Sequence, residues 1–366
     1  MSCGSCKILH DALITILAAF CPHRNVAKVN KTIKNVSKVV KKIFNKTIKT
    51  VLPIVLGILI LYMIYADFDF TQLWGAISEM DMTWFVVSTF FGIMSHVIRG
   101  WRWKLTLAPL GYYPSSNICV NSIFVAYAAN LVVPRVGEVS RCVVLEQYEH
   151  VPFAQSLGTV VSERLIDTLM VLTMTVVAVL LQWTVFTRFL SDAGFSKSES
   201  PFFASIGGWA VILLSFVAIV VLLYVILHKM AFWKRIKSFI ANFIVGIMSL
   251  TKMKNGWLFL LETVGIWFCY FMQFYLCVFC FGFSSDLSVL AGLLLFVAGS
   301  IAVVVPTPNG AGPWHFAIIS IMVLYGVSPN NASVFALIVH STQTLLVALL
   351  GLYALVMLQF KKSINK

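Results

Sequence analysis

The sequence predicts an all-α polytopic membrane protein with about six full spans and two re-entrant helical hairpins related as an inverted-topology repeat. Three observations carry this. Hydrophobic residues make up 60% of the chain and charged residues only 11%, whereas an average soluble domain is roughly a quarter charged. Apolar runs near 20 residues, the length that crosses ~30 Å of hydrocarbon as helix, recur along the chain. Two stretches, FVAYAANLVVP at 124–134 and FVAGSIAVVVP at 296–306, agree at six of eleven positions without a gap, and each runs into a Pro/Gly break.

Residues 1–50 hold ten Lys/Arg against one acidic residue. Val26, Val29, Ile33, Val36 and Val40 recur at helical spacing between the lysines, which predicts a basic amphipathic segment lying on the cytoplasmic membrane surface and touching anionic lipid. A partly disordered basic tail is the alternative. No foldable soluble module accompanies the charge, so nucleic acid is not expected as a partner.

The membrane transport domain is read as 51–360. A first span covers about 51–66 and a second about 82–106, ending in RGWRWK. There Trp101 and Trp103 suit an interfacial belt, and Arg102 and Lys104 suit a cytoplasmic end. Residues 116–133 are apolar but carry Asn117, Asn121 and Asn130, and a short polar helix follows at 138–148. A third span runs from about 153 to 181, and a fourth, 202–227, carries no charge. Residues 229–254 hold six Lys/Arg and no acid. A fifth span covers 257–281. Apolar pieces at 287–305 and 314–326 flank PTPNGAGP, and a last span at 330–359 leads to a basic tail, 361–366.

Positive charge orients these pieces. With both termini and 229–254 inside, the unit at about 116–148 must enter and leave on the cytoplasmic side, and the unit at about 287–326 on the outer side. Their returning legs, about 10–13 residues, are too short to cross the hydrocarbon as helix. Pro134 and Gly137 break the first hairpin; Pro306, Pro308, Gly310 and Gly312 break the second. Broken helix at membrane depth is tolerated only against protein or a water-filled cavity.

Charges gather at the first break. Arg135, Glu138 and Arg141 surround a helix start whose free N–H groups favour an anion, and arginine suits phosphate because its planar fork binds it bidentately. The same three residues form i,i+3 pairs, so local neutralisation is the competing reading. On the third span, Glu163 and Asp167 lie four apart with Arg164 beside them, about 15 Å into the helix. Intramembrane charges line a path or pair with one another; a cationic partner such as Arg99 or Arg135 would make them a structural cluster. His315 after the second break and His340 on the last span could titrate or hydrogen-bond a substrate, or serve as helix contacts.

The eight cysteines lack zinc spacing; Cys3 and Cys6 form a CxxC without a second pair. No metal or cofactor is expected. The apolar run at 12–20 is not followed by a signal-peptide cleavage site, and no G-x-x-x-x-G-K-[ST] motif is present to use ATP.

The ordered set Pro134, Gly137, Glu138, Arg141; Glu163, Arg164, Asp167; Pro308, Gly310, Gly312 resembles the lysylphosphatidylglycerol synthase transmembrane, or flippase-like, family over roughly 51–360. That resemblance implies a domain that moves lipids such as aminoacylated phosphatidylglycerol or glycolipid carriers between leaflets, without the family's soluble synthase domain. The family often has an acid shortly after the second break, where this chain has His315. The function expected is a flippase or scramblase for a phosphate-bearing lipid in the cell membrane. The alternatives are an integral-membrane headgroup-modifying enzyme, or a partner subunit of a lipid- or glycan-assembly enzyme. A homo-oligomer is a further possibility.

Overall fold

The computed structural model describes residues 54–66, 68, 70–183 and 255–364. The basic segment expected at 26–49, the span at 202–227 and the basic connection at 229–254 lie outside the described residues. The described residues are helical with no strand among them, and nearly all belong to one unit, Leu56–Lys366.

The helices are α1 (Ile54–Tyr65), α2 (Phe70–Ser78), α3 (Met82–Leu107), α4 (Ser116–Val132), α5 (Gly137–Glu149), α6 (Phe153–Leu181), α7 (Gly256–Leu276), α8 (Val289–Ala302), α9 (Pro313–Leu324) and α10 (Pro329–Ile364). Among the described residues, four helices are long and apolar enough to cross a membrane: α3 and α7, each with a short extension, α6, and α10 as far as Lys361. Helix α2 was not anticipated; it fills the stretch between the first two expected spans.

Local chemistry sets the helix starts. Asp81 accepts from the Thr83 amide at 2.8 Å ahead of α3, Ser115 from Ile118 ahead of α4, and Ser288 from Ala291 ahead of α8. Each satisfies a donor that the first turn leaves without an intrahelical partner. Helix α5 ends at His150, whose φ of 54° is left-handed. Helix α9 ends at Gly326, with the Val327 amide returning to the Met322 carbonyl, a left-handed stop of the Schellman kind.

Helices α4 and α5 pack on each other across the link at 133–136, and α8 and α9 across the link at 303–312. The first link turns through Arg135, at φ 65°. The Gly137 amide, first in α5, donates to Asn130 Oδ1 at 2.7 Å, and a Cβ at Gly137 would collide with the Ala126 carbonyl. The second link turns through Asn309, Gly310 and Gly312, all at positive φ. At Gly312 the backbone also lies so close to Ile60 and the Gly57 carbonyl that a side chain would crowd them. The two links touch, since an Arg135 guanidinium nitrogen donates to the Val304 carbonyl at 3.2 Å.

Each helix pair has its own apolar core. One cluster joins α3, α4, α5 and the start of α6 around Trp103, Ile118, Ile123 and Leu145. The other joins α7, α8, α9 and α10 around Leu295, Ile318, Met322 and Phe335. Helix α10 binds the first pair as well: Gly351 lies so close to Ala128 on α4 that any Cβ would overlap it.

Arg102, in the closing turns of α3, is fully buried, between Thr263, Glu163 and Asp167. A guanidinium six residues past His96 and three past Arg99 reads as a terminal charge in sequence, yet the acids on α6 keep it buried.

Candidate functional site

Three helices converge their charged side chains on one buried point. Helix α3 supplies Arg99 and Arg102, three residues apart and therefore on one face. Helix α6 supplies Glu163 and Asp167, four apart on its facing stripe. Helix α5 supplies Arg141. The Asp167 carboxylate bridges Arg99 at 2.7 Å and Arg102 at 2.9 Å. The Glu163 carboxylate bridges Arg141 at 2.8 Å and, less closely, Arg102 at 3.4 Å. These five side chains are at most 9% exposed.

The network extends outward through Arg164, which pairs with Glu138 of α5 at 3.0 Å and lies 3.7 Å from Asp167. Its side chain is 42% exposed. Four arginines therefore face three carboxylates, leaving one positive charge in excess. Neither i,i+3 pair inside 135–141 forms: Glu138 turns to Arg164, and Arg141 to Glu163. Aromatic rings cover the guanidinium faces, Trp103 over Arg141 at 4.7 Å, Tyr270 over Arg99 at 5.5 Å and Phe259 over Arg102 at 5.6 Å. Such stacking strengthens as water is excluded.

Isolated charges in this setting would carry a desolvation penalty of several kcal/mol each, which only close pairing offsets. The network thereby fastens α5 to α6 and α6 to α3. Not every donor is matched: Arg141 Nε and one of its terminal nitrogens, and Arg164 Nε, are buried without a partner in the protein.

A cavity of about 430 Å³ opens beside the network, a size typical of small-molecule sites. Arg99, Arg164 and Asp167 line it, and so do Asn309, Trp314 and Gln343. Both helix pairs contribute lining, through Tyr127 of α4 and Phe296 and Gly299 of α8. A chain of contacts leads along its wall. Arg99 Nε donates to the Tyr270 hydroxyl at 3.2 Å, which lies 2.8 Å from the Tyr127 hydroxyl, whose ring packs on His96.

The remaining sequence candidates fall elsewhere. Arg135 reaches Val304 and takes no part in the ion network. His315 and His340 meet each other, ring centres 4.5 Å apart, behind the second break. His315 Nδ1 accepts the Gly312 amide at 3.4 Å, and His340 Nε2 lies 3.0 Å from the Asn309 carbonyl. Both histidines brace the left-handed turn. The helix start at Gly137 is not fully open to an anion, because Asn130 takes its first amide. Among the described residues no cluster of three or more His, Cys, Asp or Glu is placed to hold a metal.

Sequence reading missed Arg102, Tyr127, Tyr270, Gln273 and Asn309. The signal for Arg102 was its i,i+3 spacing from Arg99, which matches the i,i+4 spacing of the acids opposite. The tyrosines carry no such signal, since nothing in their spacing separates a cavity wall from a core.

The helices and their buried charges define a multi-pass membrane protein whose broken helix pairs both line a cavity that the charged network reaches. The chain belongs to the lysylphosphatidylglycerol synthase TM region family, which it matches over residues 50–351. It is also similar to a protein named glycosyltransferase AglD from Haloferax volcanii, at 23% identity over 125 residues, or 34% of this chain. That stretch is 20% of AglD, so this chain spans about a fifth of that relative's length. No solved structure matches.

Proposed function

We propose that the chain carries the phosphate-bearing headgroup of a lipid between leaflets through the cavity, the acyl or isoprenyl tail staying in the bilayer. The observation that carries this reading is the arginine excess of the buried network where it meets the cavity, with Arg164 Nε unpartnered and its side chain half open. A phosphate is the anion that a guanidinium fork fits best. In this reading the α4/α5 and α8/α9 pairs are re-entrant hairpins entering from opposite faces, an inverted repeat of the kind that places sites at mid-membrane. The shared 124–134 and 296–306 pattern supports that arrangement, and so does the contact between the two breaks. Both termini lie on the cytoplasmic side of the cell membrane, with the basic segment at 1–50 on anionic lipid.

The test is leaflet exchange of fluorescent phosphatidylglycerol in liposomes holding the purified chain. Wild type accelerates exchange and Arg164→Ala abolishes the acceleration. Equal exchange by both would refute the role given to Arg164.

The similarity to a protein named as a glycosyltransferase favours a second reading, a membrane domain that presents a lipid-linked substrate to a glycan-forming enzyme. Lipid binding without any exchange would select it.

A further inference from the structure

The acids of the network differ in how many cations hold them, and the difference matters once an anion takes Arg164; this step rests on the reading of the cavity as a phosphate-headgroup site. Asp167 is held by Arg99 and Arg102 besides Arg164, and Glu163 by Arg141 and Arg102. Glu138 has one cation among the described residues, Arg164, 3.0 Å from its Oε1. Its other oxygen, Oε2, is buried with no hydrogen-bond partner. Loss of Arg164 to an incoming phosphate therefore leaves Asp167 and Glu163 paired and strips Glu138 of its ion pair.

Among the described residues no other cation stands ready to replace Arg164. Helix α4, which packs along α5, has no charged residue. Arg141, one turn along α5, is bound to Glu163 and stacked on Trp103. Arg99 and Arg102 of α3 are bound to Asp167. Arg135, in the link before α5, reaches the Val304 carbonyl, and Lys361 of α10 pairs with Glu149 at the far end of the helix. The remaining titratable neighbour is the Cys142 thiol, which offers no positive charge. An ionised carboxyl left partly buried and unpaired is costly, and a proton removes the charge. The ion count agrees. An anion gained and a carboxylate neutralised leave the network's single positive surplus unchanged.

We infer that Glu138 is a proton-binding site linked to the cavity: the anion takes Arg164, and Glu138 takes a proton from water as Arg164 leaves it. One phosphodiester and one proton bind together, and release of the anion returns Arg164 to Glu138 and frees the proton. A phosphodiester headgroup carried this way brings no net charge with it, so the voltage across the membrane neither drives nor opposes its passage.

The test is equilibrium binding of dioctanoyl phosphatidylglycerol to the full chain in detergent across about pH 5 to pH 8; the phosphodiester of this probe stays ionised throughout. Wild-type affinity rises as pH falls, by about tenfold per unit at most, the slope of one linked proton. Binding heats in two buffers of different ionisation enthalpy count the protons taken up with the lipid. Glu138→Gln keeps the shape of the acid without its charge. It binds the probe more tightly than wild type at the upper pH, because no carboxylate competes for Arg164, and it loses both the pH dependence and the proton uptake. Binding by wild type that is independent of pH and takes up no proton overturns the inference while the phosphate reading stands. So does a pH dependence that persists in Glu138→Gln, which would assign it to another group such as His96 in the cavity lining. The proton count needs no variant, so it decides the matter even where Glu138→Gln fails to fold. Absence of binding by wild type at every pH overturns the inference and the phosphate reading together.

Discussion

Glu163→Gln is the sharpest perturbation of the network because it removes one charge and almost no volume. Glu163 is fully buried and has two partners, Arg141 at 2.8 Å and Arg102 at 3.4 Å. Arg102 retains Asp167 at 2.9 Å. Arg141 retains no carboxylate, only the Trp103 ring. Removing one partner of a buried pair costs about 3–5 kcal/mol, most of it the penalty on the charge left behind. At about 1.4 kcal/mol per factor of ten, α5 should separate from α6 between roughly a hundredfold and a few thousandfold more often. Cys142, on α5 and fully buried, reports that opening. Its alkylation in detergent, located by mass spectrometry, should accelerate by that factor, since labelling follows the open population when closing is fast. Cys277, in the other apolar cluster, separates local detachment from general unfolding, because only the latter accelerates both. The partly exposed Arg164–Glu138 pair supplies the contrast. Pairs this open contribute about 0–1 kcal/mol, so Arg164→Ala should change Cys142 labelling by about fivefold at most. Unchanged Cys142 protection in Glu163→Gln would refute the claim that the network fastens the first helix pair.

Two backbone-level predictions concern the same pair. Gly137→Ala drives a methyl into the Ala126 carbonyl. Overpacking of this kind costs about 1–3 kcal/mol, so the melting temperature in detergent should fall and Cys142 should label faster. Asn130→Ala removes the acceptor of the Gly137 amide, a loss of about 0.5–2 kcal/mol by analogy with helix caps. Hydrogen exchange of the peptide covering 137–149 should quicken at its first residues, and unchanged exchange there would count against the bond.

The long helices were legible because apolar length and flanking breakers suffice to mark them. The third span, read as 153–181, is observed as Phe153–Leu181, and the last, read as 330–359, as Pro329–Ile364. The broken pairs were legible for a related reason: Pro and Gly at 134–137 and 306–312 cannot continue a helix, and the observed links fall there. The charge partners were half legible. Spacing placed Glu163 and Asp167 on one face, and the opposing face of α3 carries Arg99 and Arg102 at matching intervals. Sequence alone could not show that Arg102 points inward, because a basic residue beside tryptophans also fits a helix end. The role of His315 and His340 was hidden as well, since their partners are backbone groups of a left-handed turn, which no side-chain pattern announces.

The two halves of the network do different physical work. Arg99, Arg102, Arg141, Glu163 and Asp167 are nearly sealed and mutually bridged, so moving any one of them exposes the others' charges at a cost of several kcal/mol. Arg164 and Glu138 sit at the rim, 42% and 25% exposed, where exchanging one partner for another costs little. An anion arriving in the cavity can therefore compete for Arg164 without disturbing the buried core. Under the proposed function, that separation also gives the arginine excess a role. A neutral network would hold the helices as well, but it would leave a phosphate headgroup no charge to offset its desolvation. Placing the surplus guanidinium at the open position keeps an anion's approach reversible, as the proposed carriage requires.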